Sequence, residues 1–189
     1  MRKVVSLLHV SLDGFAASKE GMGLEWTFRG MNDEISNFAN TLLSDVDTAM
    51  YGRQTYQGMQ GYWSTVPNNP ASTPHEREHA RWIEQIHKLV FSTTLESADW
   101  NNSRLIKDHL AAEVKALKQQ PGETMMIFGS PKLVHSFIQH GLIDEYRLFL
   151  HPIVIGAGTP VFSDVKVNLN LVESKTFRNG VVYLCYQPA

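Results

Sequence analysis

One cysteine stands in the 189-residue chain, Cys185, and a single thiol makes no internal disulfide. The fold therefore closes without covalent staples, and a reducing compartment is the expectation. Cys185 lies in an alternating apolar run, where a small buried side chain is the ordinary reading. Long hydrophobic runs are missing too: none approaches the roughly 20 residues that span a bilayer. Residues 1–10 put basic side chains ahead of a short apolar stretch, but residues 11–14 break it before a signal-peptide core forms. A first β-strand is the reading, in a soluble and cytoplasmic protein with no membrane partner. Charge of one sign is not in excess either. Seventeen basic against nineteen acidic residues leave a formal charge of −2, which offers no general field to DNA or RNA, and no local basic patch replaces it. The usual nucleotide fingerprints are absent: Gly156-Ala157-Gly158-Thr159-Pro160 starts like a dinucleotide motif but lacks the third glycine and runs into proline, and there is no P-loop.

What is present is globular. The composition is 43% hydrophobic and 19% charged, far from that of a disordered chain. A chain of this length fits a single domain and buries about 70% of its extended surface on folding. Past the first strand, Asp13-Gly14 turns the chain into a loop with Gly21, Gly23, Trp26 and Gly30, and Asn32 is placed to cap a helix carrying Ile35, Phe38, Ala39, Leu42 and Leu43. A short strand over residues 48–51 ends at Gly52, with a short helix from Arg53 towards Met59. Residues 60–73 shift to Gly, Asn, Ser and Pro, the composition of a long surface loop. Thr73-Pro74-His75-Glu76 is a capping box that predicts a helix over 74–86. A strand follows over 88–91, a helix over 110–117 and a strand over 125–128. Ser130 as N-cap and Pro131 then start a helix that Gly141 stops. Strands over 146–154, 169–177 and 181–187 close the chain, the last two joined through Asn179-Gly180, a strong hairpin signal. Helix and strand alternate first and antiparallel strands come last, so the expected α/β fold is a mostly parallel central sheet flanked by helices with antiparallel C-terminal strands.

Three strand-to-helix junctions carry small or hydroxylic residues, and helix N-termini bind anions through free backbone N–H groups. They are Gly52-Arg53-Gln54-Thr55, Ser92-Thr93-Thr94 and Gly129-Ser130-Pro131-Lys132-Leu133. In an α/β sheet such junctions share the carboxyl edge of the strands. Three together favour an extended, multi-phosphate ligand.

Taken in order, Ser11-Leu12-Asp13-Gly14-Phe15, Tyr51-Gly52-Arg53-Gln54-Thr55-Tyr56, Phe91-Ser92, Ile127-Phe128-Gly129-Ser130, Gly141-Leu142-Ile143-Asp144-Glu145 and Pro152-Ile153-Val154-Ile155-Gly156-Ala157-Gly158 resemble the dihydrofolate-reductase-like family that includes the reductase domain of the bifunctional riboflavin-biosynthesis deaminase-reductase. The resemblance spans nearly the whole chain. It implies an NADPH-dependent reductase acting on a small planar heterocycle of pyrimidine or pterin type, and a homodimer paired through its C-terminal strands. By position it implies that Gly52, Arg53, Gln54 and Thr55 contact the pyrophosphate and 2′-phosphate, that Ser92 and Thr93 lie near the adenosine ribose, and that Gly129, Ser130, Lys132 and Leu133 form the turn beneath the nicotinamide half. It further implies a proton-assisting carboxylate on the helix before Gly52. Asp33 is the choice there over Glu34, because it starts that helix beside the loop whose Trp26 and Phe28 could wall a planar substrate; Asp13 is a second substrate contact. The alternative readings are a helix-stabilising acid at Asp33 and an Asp-Gly turn at Asp13.

The chain departs from the family pattern at two places. Serine replaces the second glycine at Gly129-Ser130. After the Gly52 turn, residues 57–63 replace the Asp-Pro-x-Leu and arginine pattern of the riboflavin enzymes, and the zinc deaminase signature is absent. A stand-alone reductase is the better description. His75-Glu76-Arg77-Glu78-His79 also matches the zinc-protease pattern His-Glu-x-x-His, but it sits on a highly charged, proline-started helix with no third ligand at Trp82 or Gln85, so no metal is expected. A non-catalytic nucleotide-binding protein of the same fold is the remaining alternative.

Overall fold

Val4, Val5, Leu8 and Val10 put aliphatic side chains on both faces of β1 (Val4–Ser11), and a strand apolar on both sides belongs inside a sheet. The computed structural model, which describes residues 1–19 and 23–189, places it there. Gly21 of the first loop lies outside the described residues.

In chain order β1 is followed by β2 (Phe15–Ser18), α1 (Glu25–Phe28), α2 (Asp33–Thr41), β3 (Val46–Gly52), α3 (Arg53–Trp63), α4 (Pro74–Gln85), β4 (His87–Phe91) and β5 (Ser103–Ile106). Then come α5 (Leu110–Gln119), β6 (Thr124–Phe128), α6 (Pro131–Gln139), β7 (Glu145–His151), β8 (Gly158–Pro160), β9 (Leu169–Thr176) and β10 (Val182–Pro188). Eight strands form one sheet in the order β5-β4-β3-β6-β1-β7-β10-β9. Pairing is parallel from β5 to β7 and antiparallel from β7 through β10 to β9, as the change of rhythm in the sequence predicts. β2 and β8 make a separate antiparallel pair.

Alternation along the strands divides the core. Val4, Leu8, Met50, Met125 and Ile127 pack with Val114 and Leu117 of α5 and with Val134 and Phe137 of α6. On the other face Val5, Ala49, Tyr51 and Met126 pack with Tyr56 of α3 and Ile83 of α4. Further along that face, Phe149 and Tyr183 pack with Ile35 of α2.

The long loop expected over 60–73 is shorter. α3 continues to Trp63 because Met59 and Trp63 extend the stripe begun by Tyr56 onto the core, whereas Gly58 and Gly61 face open space, where a Cβ would meet nothing within 4 Å. Composition alone marks Gly61 as loop. A single 3-10 turn, Val66–Asn68, then buries Val66. The strand expected over 146–154 stops at His151, since Pro152 has no N–H to give a ladder. β2, β5, β8 and α1 are too short to show a period. The Asn179-Gly180 hairpin forms as expected, with the Gly180 N–H donating to the Phe177 carbonyl at 3.0 Å. Among the described residues no helix is long and apolar enough to cross a membrane.

Candidate functional site

β4, β3, β6 and β1 are neighbours, so the three junctions read from the sequence lie in a row along the carboxyl edge of the parallel strands. Two of them are physically joined. Gly129 and Ser130 both adopt left-handed backbone, with φ of 54° and 52°. The Gly129 N–H donates to the Leu7 carbonyl at 2.9 Å, and Ser130 is carried under β3. Ser130 occupies the N-cap position of α6, but contrary to expectation its hydroxyl caps nothing in that helix. A left-handed residue turns its side chain away from its own helix, and the Ser130 Oγ accepts the Gly52 N–H at 3.0 Å. The two turns approach within van der Waals contact: a Cβ on Gly129 would lie 3.8 Å from Thr55 Cγ2, and one on Gly52 would lie 3.7 Å from Ser130 Oγ.

Arg53, Gln54 and Lys132 are exposed at this edge and Thr55 is half-buried. The Leu133 side chain is buried in the core, so only its backbone faces the turn. At the third junction the Ser92 hydroxyl accepts the N–H groups of Thr94 at 3.2 Å and Leu95 at 3.0 Å, while Thr93 is exposed. An open depression of about 450 Å³ separates this turn from α3, with Arg53, Gln57, Thr94, Glu96 and Asp99 on its walls.

A second feature lies on the other side of β6. β1 pairs with β6 only from Val4 to Leu7 but with β7 from Val5 to Ser11, which leaves the last four residues of β1 open along the β6 side. Two histidines meet beside this opening. His9 Nδ1 and His151 Nε2 are 2.8 Å apart, and the His9 ring stacks on Phe149 at 5.2 Å and 19°. Trp26 meets His151 edge-on at 5.3 Å and donates its own N–H to the Gly23 carbonyl at 2.8 Å. Burial, helped by His151, pushes His9 down to about 3; burial also lowers His151. Both rings are neutral near pH 7. Neither was singled out in the sequence, because only the β1–β7 register shows that they share a face.

Trp26 is thus brought to the histidine pair; among the described residues no hydrogen bond or ring contact joins the substrate candidates Phe28 and Asp13, or the catalytic candidate Asp33, to it. Phe28 is 63% exposed. Asp33 is exposed in the first turn of α2, after Asn32, whose side chain accepts the Ile35 N–H as the expected cap. Asp13 ties down the loop before β8, accepting the N–H groups of Ile155 at 3.2 Å and Gly156 at 2.7 Å. A hydrogen bond from Ser11, with those two, holds its carboxyl below the usual range.

The residues of the His-Glu-x-x-His pattern have other partners. Glu76 closes the capping box with Thr73 and accepts the Tyr62 hydroxyl at 3.0 Å. His75 meets Asn40 at 3.2 Å, and His79 lies between Trp63 at 4.4 Å and Trp82 at 5.2 Å. Among the described residues no three His, Cys, Asp or Glu side chains are grouped to hold a metal. Burial pushes His79 down to about 4. His9, His79 and His151 therefore bind fewer protons folded than unfolded, where a histidine titrates near 6.5. Their contribution to stability is complete above about pH 6.5 and is lost as pH falls towards the folded values. The urea midpoint should drop between about pH 7 and pH 5, ahead of the carboxylate range. A midpoint unchanged over that interval would contradict neutral burial of these rings.

The sequence profile of the RibD C-terminal domain matches residues 2–183. The chain belongs to the RibD C-terminal domain family. It is 35% identical over 187 residues to the uncharacterized protein YyaP of Bacillus subtilis (strain 168), covering 98% of this chain and 94% of that one. Among solved structures it is similar to a Shewanella sp. PV-4 protein assigned to riboflavin biosynthesis, with a TM-score of 0.78 at 20% identity over 99% of both chains. It is similar also to dihydrofolate reductase from Enterococcus faecalis complexed with NADP(H), with a TM-score of 0.64 at 13% identity over 98% of this chain and 96% of that one. The fold of this RibD C-terminal domain is dihydrofolate-reductase-like, as the ordered motifs imply.

Proposed function

We propose that the protein is an NADPH-dependent reductase that transfers hydride to a small planar heterocycle of pyrimidine or pterin type. The observation that carries this reading is the joined pair of turns at Gly52 and Gly129-Ser130. Two helix N-termini converge there, next to an exposed guanidinium, and the two glycines let the turns pack against each other so that both helix starts meet at one place. Such a donor set fits a dinucleotide. Gly52, Arg53, Gln54 and Thr55 would hold the phosphates, Ser92 and Thr93 the adenosine side, and Gly129, Ser130, Lys132 and the Leu133 backbone the nicotinamide side; the bound cofactor supplies the hydride. Trp26 walls the substrate side, and Asp33 or Asp13 supplies a carboxylate.

Titrating the protein with NADPH and following its oxidation against pterins, pyrimidines and small imines tests the reading. Binding followed by oxidation with a planar heterocycle supports it. Binding without turnover of any compound would favour a non-catalytic nucleotide-binding role, and no binding would refute both.

The same reading includes a homodimer paired through β9. That strand is the edge of the sheet, and Leu171 and Val172 are each 55% exposed on it, which an unpaired edge does not ordinarily tolerate. Light scattering at micromolar concentration should give twice the chain mass of 21.3 kDa. A monomer would remove this part of the reading.

A further inference from the structure

The histidine pair has a geometry that a purely structural contact does not need. His9 is fixed at three points: its backbone in β1, its face on Phe149 and its Nδ1 on His151. Its remaining polar atom is Nε2. No described residue hydrogen-bonds that nitrogen, and His9 as a residue is half-buried, so this atom is left to offer a bond outward. His151 is the inner member, 2% exposed. Its Nδ1 faces Gly30, where any Cβ would collide with the ring and would come within 2.8 Å of Cε1. His9 lies two residues past Leu7, the last β1 residue paired with β6, which at roughly 3.3 Å per residue puts it about 7 Å beyond the Gly129 turn.

Two neutral imidazoles joined by one hydrogen bond have two arrangements of their protons. When His151 Nε2–H donates to His9 Nδ1, His9 Nε2 carries a proton and offers a donor outward. When His9 Nδ1–H donates to His151 Nε2, His9 Nε2 is bare and offers an acceptor, and His151 carries its own proton on Nδ1. The lack of a side chain at Gly30 is what lets that ring edge lie there. A backbone amide held by the fold would not change its outward character in this way.

We propose that the His9–His151 pair orients the substrate by hydrogen-bonding one edge of an uncharged lactam- or amidine-type heterocycle, with His9 Nε2 as donor to a ring carbonyl or as acceptor from a ring amino group. This rests on the reductase reading for the presence of a substrate at the open end of β1. Neutral rings suit a neutral ligand, because neither imidazole brings a charge into the cleft, and burial holds both in that state. Trp26, edge-on to His151, and Phe149, beneath His9, supply apolar surface around the one polar atom. The pair fixes position and polarises the bound edge; it is not assigned a proton-transfer step.

The test uses two probes that differ at one ring position, 6-methylpterin with a carbonyl there and 2,4-diamino-6-methylpteridine with an amino group. Nitrogen-15 spectra of the histidine-labelled protein, taken with NADPH present near neutral pH, should show His9 Nε2 protonated with the first and bare with the second. A His9→Phe variant keeps the stacking on Phe149, and both probes should bind about tenfold more weakly to it while NADPH binding stays within about twofold. The same His9 tautomer with both probes would overturn the proposal, even if the variant proved too unstable to assay. So would undiminished probe binding by His9→Phe, or NADPH binding by the wild-type protein with neither probe bound. Failure to bind NADPH at all would instead refute the reductase reading on which the proposal rests.

Discussion

Arg53→Ala is expected to weaken NADPH binding by about 10- to 150-fold and to change NADH binding much less. The 2′-phosphate carries nearly two negative charges, and a guanidinium can meet it through two parallel hydrogen bonds that a ribose hydroxyl does not match. A charge-assisted contact contributes roughly 1.5 to 3 kcal/mol, which is the stated range of affinity. The surroundings point to its upper half. The Ser92 hydroxyl accepts the Thr94 and Leu95 N–H groups, while Glu96 and Asp99 line the same depression, whose only cationic wall residue among those described is Arg53. Removing Arg53 leaves the carboxylates facing the phosphate. Arg53 is exposed, so thermal stability should hardly change. Parallel loss of both cofactors in calorimetric titrations would mean that Arg53 serves the pyrophosphate or the fold instead.

Phe137→Ala should act in the opposite sense, on stability and not on recognition. Phe137 is fully buried on α6, in the larger core, and meets Phe91 edge-to-face at 5.4 Å. Truncating such a ring costs about 3 to 5 kcal/mol, part in lost burial and part in the cavity left behind. α6 also carries the Gly129-Ser130 turn at its start, so cofactor affinity measured on the folded fraction tests whether the turn depends on the helix behind it. The Gly129–Leu7 and Ser130–Gly52 bonds lie two turns away from Phe137, and affinity should be retained. A loss below about 1 kcal/mol in urea unfolding would show that the site collapses around the missing ring.

The parts of the molecule that could be read from the sequence are those with local causes. The capping box at Thr73, the cap at Asn32 and the Asn179-Gly180 hairpin depend on neighbours a few residues away, and they form where the sequence puts them. The parallel-then-antiparallel order follows from the same local patterns. The end of α3 is not legible because Gly61 is a poor helix former at the start of a loop-like composition, and only packing of Met59 and Trp63 against the sheet keeps it helical. At the site, the glycine turns and Arg53 were visible as motifs. The His9–His151 contact was not, since it spans 142 residues and depends on a register that one sequence does not reveal. The hydroxyl of Ser130 was legible as a cap, but its left-handed backbone sends it to Gly52.

On the reductase reading, that serine bond bears on how the protein would meet its cofactor in time. A left-handed serine costs about 1 to 2 kcal/mol against a relaxed backbone, and the hydrogen bond to Gly52 returns about 0.5 to 1.5 kcal/mol of it. Part of the strain is therefore met during folding, before any ligand arrives. The hydrogen bond holds the two turns in register without a ligand, so on the reductase reading no conformational fraction would be deducted from the apparent affinity. On that reading encounter, not rearrangement, would set the association rate, and occupancy would follow changes in nucleotide concentration without a lag.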